Sequence, residues 1–479
     1  MAYYHGVKTS EQATSLSTTV NVENGVTFAV GTAPVHTVGG SVNKVILAED
    51  YASAVKALGY SDDWEKYTLC EVIKTHFMLY SVSPVIFVNV LDPSKHCSEV
   101  KNDTFGVDSE GVVRLPSSVI ADTVTVHSSS GGDTYTINND YTLDYDDNGL
   151  VLTVLQGGAI DETSLFIEYK EIDPSAVTKS DIIGGISAVD GNKKGLELVD
   201  SAFTATGVVP EVIIAPGFSE DSEVAAIMNS KASSINELFK GKAIIDIDTT
   251  AVKTAAEAYQ YKNDKSISGE NQILCFPNVA LGRVRYHLST HIAALMASTD
   301  SDNDGIPSDS PSNKNLQIES TVLVDGGEIT LELAEANRLN SYGIMTALNF
   351  TGGFKAWGNY TACYPYNTDV KDYFISVNRM FAFVAKTLIF SYWGKIDGKM
   401  TPRFVQSIVD SVNIWLNGLT SDGHLLGGRV EFISEENSTT DLMAGKMRYH
   451  VYITPPSPAV EIDYVLEYDP SYVEALFTA

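Results

Sequence analysis

The stretch "SPVIFVNVL", residues 83–91, is a continuous run of apolar and β-branched residues. Such a run is typical of a strand that is buried on both faces, as strands of parallel sheets are. A similar run, "VTFAV" at residues 26–30, precedes it, and two helical patterns lie between them at residues 48–60 and 62–81. Gly59 is placed to end the first of these helices. The order strand, helix, helix, strand predicts an α/β domain with parallel pairing.

The same alternation returns after residue 178. A Ser219–Ser222 pattern with acidic residues in the first turn indicates the start of a helix. The predicted strands are "VVPEVIIAPG" (208–217), "KAIIDID" (242–248) and "QILCFPNVA" (272–280), and the predicted helices are "SEDSEVAAIMNSKASSI" (219–235) and "TAAEAYQYK" (254–262). We therefore assign residues 26–97 and 179–365 to one split α/β core domain.

The segment between these halves differs in composition and in the period of its hydrophobic pattern. Residues 101–180 contain 14 acidic and 4 basic residues and alternate at the period of a β-strand. Asp147-Asn148-Gly149 stands between two alternating runs, which is a strong signal for a hairpin. Residues 98–178 are predicted to form an all-β insert that is bounded by Asp173-Pro174.

Residues 366–479 are predicted to form an α+β domain. Two long amphipathic patterns, at residues 369–393 and 402–419, indicate helices, and Gly418 lies near the end of the second. The segments "GGRVEFIS", "MRYHVYITPP" and "AVEIDYVLEYD" then alternate as strands do. The chain therefore ends in an extended arm, and residues 1–25 form a second arm at the start.

Composition excludes several classes of function. The formal net charge is −29, from 61 acidic and 32 basic residues. A general nucleic-acid-binding protein needs a basic face, so this class is disfavoured, as is binding to an anionic membrane surface. No secretory signal is recognisable, and no apolar run approaches the ~20 residues that cross a bilayer. The widely spaced Cys70, Cys97, Cys275 and Cys363 are interpreted as reduced thiols.

The first residues of one loop match the start of a calcium-binding sequence pattern. "STDSDNDGIPSDSPSN", residues 298–313, places Asp300, Asp302 and Asp304 at alternate positions before Gly305. An EF-hand needs a bidentate glutamate at its twelfth position, and here that position is Pro311. We therefore interpret the three aspartates as a solvated turn and retain a different kind of calcium loop as a weak alternative.

Other metal and catalytic patterns are weaker. His287 and His291 are four residues apart on a predicted helix, but Leu-Ser-Thr between them offers no general base. The sequence contains no G-x-S-x-G, no phosphate-binding loop and no G-x-G-x-x-G after a strand. We expect neither an enzyme nor a protein with a cofactor.

A basic segment stands out against the acidic background. Residues 371–403 hold six basic and two acidic residues. The sequence leaves two interpretations open, solvated lysines or a basic face that meets an acidic partner. The basic residues in question are Lys371, Arg379, Lys386, Lys395, Lys399 and Arg403.

The second half of the chain resembles the contractile tail sheath proteins. The resemblance rests on four stretches in the order and spacing of that family, together with the N-terminal "YHGV" and "VTFAVGTAP". It covers residues 1–95 and 181–479 and leaves out the β insert. The four stretches are "MASTDSDNDGIPSDSPSN", "NFTGGFKAWGNYT", "YFISVNRMFAFVAKTL" and "VNIWLNGLTSDGHLLG".

The resemblance implies a structural function. Proteins of this family stack as hexameric rings around a tail tube, contract, and drive the tube into a target envelope. Their core is a subtilisin-like scaffold without a catalytic triad. The implied partners are copies of the chain, the tail tube protein, and the baseplate and tail terminator proteins. The implied location is the virion tail sheath, assembled in the host cytoplasm. A bacteriocin, injection or secretion particle is the alternative within the family, and an adhesin or a hydrolase is the alternative outside it.

Two sets of residues are predicted to make these contacts. Alternating residues near both ends of the chain could add as strands to a neighbour's sheet. These residues are Leu16, Thr18, Val20, Val22, Val460, Ile462, Tyr464 and Leu466. The residues predicted to face the tube are Arg379, Lys386, Lys395, Lys399 and Arg403.

Overall fold

The computed structural model describes residues 25–146 and 149–474. Its first part contributes three strands to a large central sheet. A π-helical stretch, Lys74–Leu79, continues the second helix, and Val35–Thr37 forms a 3₁₀ turn. The elements are β1 (Thr27–Gly31), β2 (Ile46–Ala48), α1 (Tyr51–Leu58), α2 (Thr68–Ile73) and β3 (Val85–Asn89). Every residue of β1 and β3 is buried, as the continuous apolar runs predict, and Gly59 follows α1 as its C-cap.

The next part of the chain forms two small antiparallel sheets with a hydrophobic core of their own. Its strands are β4 (Cys97–Gly106), β5 (Val112–Leu115), β6 (Thr125–His127), β7 (Tyr141–Asp146), β8 (Gly149–Val154) and β9 (Ser164–Ile172), with a 3₁₀ turn at Ala121–Thr123. One sheet has the order β4-β9-β6 and the other β5-β8-β7. Because Asp146 pairs with Gly149, the predicted hairpin forms between β7 and β8.

The chain then returns to the central sheet. The 3₁₀ turns of this part are Pro174–Ala176 and Gly195–Leu198. Its elements are α3 (Lys179–Ile183), β10 (Gly185–Ile186), β11 (Lys193–Lys194), α4 (Val199–Thr206), β12 (Val212–Ile214), α5 (Ser222–Ser233), β13 (Lys242–Asp246), α6 (Ala255–Asp264), β14 (Gln272–Cys275), β15 (Asn278–Leu281), β16 (Val284–Tyr286), α7 (Leu288–Asp302), β17 (Ser320–Val322), α8 (Leu333–Asn340), β18 (Ile344–Asn349) and β19 (Phe354–Trp357).

The central sheet is mixed and has eight strands in the order β19-β18-β14-β13-β12-β1-β3-β2. The six inner strands run parallel, and the edge strands β2 and β19 are antiparallel to their neighbours. Helices α5 and α7 pack against its central strands. Parallel strands need helical cover on both faces, so this arrangement agrees with the predicted α/β class.

The last part contains the longest helices. Its elements are α9 (Val370–Tyr373), α10 (Ile375–Trp393), α11 (Pro402–Ser421), β20 (Gly427–Glu431), α12 (Thr439–Met443), β21 (His450–Thr454) and α13 (Ser471–Glu474), with a 3₁₀ turn at Ser434–Glu436. Helices α10 and α11 and the β20–β21 sheet share a separate hydrophobic core. Phe390 of α10 stacks on Phe239 at 5.5 Å between ring centroids, so α10 also packs against the main core.

Two local predictions are wrong, whereas Gly418 does lie near the end of α11, at Ser421. Helix α5 is capped by Asp221 and not by Ser219, because the Asp221 carboxylate accepts a hydrogen bond from the Glu223 amide. The predicted strand in "AVEIDYVLEYD" does not form, since residues 455–469 adopt neither helix nor strand in the single chain. None of the helices within the described ranges has the length and hydropathy needed to span a membrane.

Candidate functional site

A buried cluster of four charges joins the C-terminal helix α10 to the central sheet. Arg379 Nη1 donates to Asp300 Oδ1 at 2.9 Å, and a second guanidinium nitrogen pairs with the other oxygen of that carboxylate. Glu211, just before β12, pairs with Lys386 and lies 3.7 Å from Arg379. Two cations and two anions leave the cluster neutral, which suits side chains that are at most 12% exposed.

The cluster also binds Gly25, the residue at which the N-terminal arm joins the core domain. The amide of Gly25 donates to Glu211 Oε2 at 3.0 Å. Burial by itself raises the pKa of Glu211, but Lys386 and Arg379 outweigh it and hold that pKa below its usual value. Glu211 is therefore ionised and links three parts of the chain: the arm root, the sheet and α10. The predicted arm residues Leu16, Thr18, Val20 and Val22 lie outside the described residues.

This geometry corrects two predictions about the basic segment. Arg379 and Lys386 are 4% and 3% exposed, so their charged groups cannot face a tube. A basic residue on an amphipathic helix usually points to solvent, but here carboxylates from distant parts of the chain hold both side chains inside. Lys395, Lys399 and Arg403 are exposed around the α10–α11 connection, and their contact with a tube stays a prediction.

The aspartate loop is also different from the expectation of a fully solvated turn. Asp300 is 1% exposed because its carboxylate is bound by Arg379. Asp302 ends α7 and Asp304 lies in the following turn, and both are exposed. Within residues 25–146 and 149–474, no group of three or more histidine, cysteine or acidic residues is arranged for a metal. The three aspartates therefore serve different purposes and do not converge on one ion.

A polar cleft of about 720 Å³ lies at the start of α7. Glu71 accepts from the His287 amide at 2.6 Å and lies 2.7 Å from His287 Nδ1. Asp246, at the end of β13, accepts from the Ser289 amide at 2.9 Å. Both carboxylates therefore satisfy amides at the N-terminus of α7, where negative charge is favoured.

The charge of this cleft depends on His287. Burial by itself lowers the pKa of His287, but the adjacent Glu71 carboxylate outweighs it and raises that pKa to about 9. His291, one turn later, has its ring 3.1 Å from the Tyr80 hydroxyl, and burial lowers its pKa to about 3. The two histidines therefore have separate partners and do not share a site.

The cleft does not provide the machinery of a hydrolase. A Glu–His pair resembles two members of a catalytic triad, but the third member must be a nucleophile bonded to the other ring nitrogen. In the part of the chain that the structure describes, the hydroxyls of Ser289 and Ser219 bond with Asp246, and no hydroxyl or thiol bonds with His287 Nε2. The geometry therefore fits a structural ion pair that caps α7.

The C-terminal segment stands out among the described residues because its apolar side chains are exposed. Tyr464 and Leu466 are 81% and 94% exposed, and Val460 and Ile462 are also well exposed. Residues 456–474 contain five acidic and no basic residues. Clustered exposed apolar side chains usually mark a surface that another molecule covers. We call residues 456–474 the tail.

The β20–β21 sheet offers one edge to such a segment. The Val430 amide donates to Asn413 Oδ1 at 2.9 Å, and Asn413 Nδ2 donates to the Val430 carbonyl at 3.2 Å. Both backbone groups of Val430 therefore point away from β21, which makes Val430 and Val451 a non-hydrogen-bonded pair. The N–H and C=O groups of Val451 must then point away from β20, and those of Ile453 do the same two residues later.

An apolar groove of about 720 Å³ lies beside that edge. It is bounded by the end of α10, by α11 and by the inward face of the β20–β21 sheet. Charged residues at its rim are Lys395, Asp397 and Lys446. Its apolar lining includes Leu388, Ile389, Ile396, Met400, Phe404, Ile408, Val412, Val430 and Val451. The groove is thus suited to apolar side chains on a segment of negative charge.

Sequence reasoning missed two residues that organise these sites. Glu211 is the only charged residue in the apolar run "VVPEVIIAP", and this isolation was a signal that it needs a buried partner. Asn413 gave no signal, since an asparagine on an amphipathic helix normally lies at its polar face.

The comparisons with known proteins agree on one class. No protein-family model matches the chain. The tail sheath protein of Burkholderia phage BcepMu is 29% identical over 495 residues, which cover 99% of this chain and 98% of that protein. The major tail sheath protein of Serratia phage KSP20 is 24% identical and covers 64% of this chain and 76% of its own length.

A solved structure shows the same fold. The helical sheath of the anti-feeding prophage in its contracted state superposes with a TM-score of 0.58 at 12% identity, over 98% of this chain and 100% of that chain. The relatives are structural proteins of tails and not enzymes, which agrees with the absence of a nucleophile beside His287 in the described cleft. The chain is thus similar along nearly its whole length to a phage tail sheath protein, and it shares the fold of a contracted helical sheath.

Proposed function

We propose that this chain polymerises as stacked hexameric rings around an inner tail tube. Contraction of the resulting sheath drives the tube through a target envelope. The particle is assembled in the host cytoplasm, and the sheath meets a baseplate at one end and a terminator at the other. The single observation that carries self-assembly is the tail, whose row of exposed apolar residues has no partner among the described residues of its own chain.

The tail is proposed to add as a strand to the β21 edge of another copy. Backbone hydrogen bonds with Val451 and Ile453 would fix it there without any change in the receiving fold. In an extended strand, Ile462, Tyr464 and Leu466 point to one side and Asp463 and Val465 to the other. The first set would enter the apolar groove and the second would face solvent.

Addition to another copy is favoured over folding back onto the same chain. The tail leaves β21 through Pro455, Pro456 and Pro458. Each proline fixes φ near −65° and favours an extended path of about 3.1 Å per residue. This stiff connection opposes the tight turn that an intramolecular hairpin would need. It directs the tail away from its own sheet and toward a neighbour.

Charge supports the same pairing. The tail has five acidic and no basic residues, while Lys395 and Lys446 stand at the groove rim beside a single aspartate. Opposite charges at the rim steer an incoming segment and disfavour wrong partners. The exposed Lys399 and Arg403 are proposed to meet the tube, and Lys395 could serve either contact.

The remaining parts of the chain have proposed positions in the sheath. The central sheet would be the subtilisin-like scaffold of the family, without a triad. The acidic insert, residues 98–178, would lie on the outer surface, where its charge is solvated. Residues 16–22 of the N-terminal arm would form a second exchanged strand.

Truncation tests this proposal directly. A chain ending at Pro458 should fold with nearly the melting temperature of the full chain, because residues 459–473 are exposed. It should remain monomeric by sedimentation, whereas the full chain should form striated tubes in negative stain. A chain that starts at residue 23 tests the other arm in the same way. Tubes of normal length from the chain ending at Pro458 would refute exchange of the tail.

A further inference from the structure

The β20 edge of the two-stranded sheet is occupied from within its own chain. Asn413 of α11 accepts from the Val430 amide at 2.9 Å and donates to the Val430 carbonyl at 3.2 Å. These two bonds are the pair that a residue on a neighbouring strand would form with Val430. The side-chain amide of Asn413 thus takes the place of an added strand at the middle of β20.

Close packing of α11 keeps this amide in position. A Cβ atom at Gly428 would lie 3.2 Å from Leu416 Cβ, so the absence of a side chain there permits the helix to approach β20 closely. Val412 and Leu416, on either side of Asn413 along α11, are buried in the domain core. The Asn413 side chain is therefore fixed at the edge by the packing of the residues around it.

The outer edge of β21 has no such cover among the described residues. The nearest comparable contact is that of Asn437 with the backbone of Arg448, two residues before the start of β21. Val451 and Ile453, which pair with Val430 and Gly428, therefore keep their outward N–H and C=O groups available. As far as residues 25–146 and 149–474 show, the sheet has one closed edge and one open edge.

We propose that Asn413 determines the specificity of assembly, because it closes the β20 edge and leaves the β21 edge of this sheet to accept the tail of another copy. Exposed strand edges are templates for uncontrolled pairing, and proteins protect them by covering them. With both edges open, one copy could bind two tails and the polymer could branch. This inference rests on the tail exchange proposed above. It adds that the β21 edge receives the tail and that the Asn413 side chain keeps the tail from the β20 edge.

Disulfide trapping in the full-length chain tests the inference. Arg429 and Tyr452 are a cross-strand pair on the solvent face of the sheet, so Arg429→Cys reports on the β20 edge and Tyr452→Cys on the β21 edge. Val465→Cys on the solvent face of the tail is the partner cysteine, with Asp463→Cys covering a register shift of two residues. Neighbouring residues on one face of paired strands lie about 5 Å apart, which is within reach of a disulfide.

With Asn413 present, oxidation of assembled chains should trap dimers through Tyr452→Cys and not through Arg429→Cys. Replacement by Asn413→Leu, or by the smaller Asn413→Ala, should make Arg429→Cys comparable to Tyr452→Cys and produce branched or bundled polymers in negative stain. Asn417→Leu, one turn later on the same helix and exposed, is the matched control and should leave the pattern unchanged.

The outcomes separate the two proposals. Equal trapping at both edges with Asn413 present would preserve tail exchange and overturn the role of Asn413. An unchanged trapping pattern in a folded Asn413→Leu chain would also overturn it. Normal tubes with no trapping at either edge would overturn tail exchange onto this sheet, and the assignment of the acceptor edge with it.

Discussion

At the scale of single residues, the most informative side chains are charges that the fold keeps from water. Removing an ion pair from solvent costs several kcal/mol per ion, and only close geometry with additional hydrogen bonds offsets that cost. Arg379 meets this requirement because it binds both oxygens of Asp300 and approaches Glu211. Substitution of any charged residue of the cluster should therefore weaken the connection between α10 and the central sheet, since the remaining charges stay buried without their partner.

Arg379→Ala should destabilise the chain by about 3–5 kcal/mol, because Asp300 then loses its counterion in a buried site. The measurement is the first transition in urea denaturation of the unassembled chain, followed by tryptophan fluorescence. Arg403→Ala, an exposed residue near the start of α11, is the control and should change stability by less than about 0.5 kcal/mol. Equal transitions for the two variants would show that the cluster does not hold α10 on the core.

His287 predicts a pH dependence of stability. Its pKa is about 9 in the folded chain and 6.5 as the ordinary value, so folding favours the protonated form. The stabilisation is complete below pH 6.5 and is lost as pH rises through 9, with a size on the order of 3 kcal/mol. The difference in melting temperature between the native chain and His287→Gln should be largest near pH 6 and shrink toward pH 10. A difference that is constant over this range would contradict the charged Glu71–His287 pair.

At the scale of elements, the sequence predicted those strands and helix ends that depend on a few neighbouring residues. Strands β1 and β3 follow continuous β-branched runs, and α1 ends at Gly59, because burial on two faces and a glycine cap are visible in a few residues. The Arg379 and Lys386 ion pairs were missed, since their partners lie 79 and 175 residues away. The alternation at residues 460–468 predicted a strand, but none forms in the single chain, because a strand needs a pairing partner.

The tail alternation leads to a prediction that distinguishes its two faces. Ile462→Asp with Leu466→Asp should abolish tube formation, because two carboxylates would have to enter an apolar groove without partners. The monomer should keep its melting temperature, since both residues are exposed in the single chain. Val465→Asp, between them and on the opposite face, should assemble normally. Negative stain and sedimentation measure tube formation by the double variant and by Val465→Asp. Equal loss of tubes in these two variants would show that the tail does not bind as a strand.

At the scale of the whole molecule, the net charge of −29 opposes any close assembly of identical chains. Attraction between the acidic tail and the groove lysines offsets this repulsion only at the tail contact itself. Long-range repulsion between subunits extends over the Debye length, which is about 30 Å at 0.01 M salt and about 10 Å at 0.1 M. Self-assembly should therefore become more efficient as salt rises from about 0.01 to 0.15 M, measured as the fraction of protein that pellets as tubes.

The proposed tube contact should respond to salt in the opposite direction, because it relies on attraction between unlike charges. Lys399→Glu with Arg403→Glu should weaken decoration of purified tail tubes and leave self-assembly near the native level. Lys44→Glu with Lys56→Glu is the matched control, since both residues are exposed in the core domain and the change in net charge is the same. Cosedimentation with tubes at low and moderate salt measures the effect. If the control weakens decoration as much as the test variant, the tube senses only the total charge of the sheath, and Lys399 and Arg403 are not its contact.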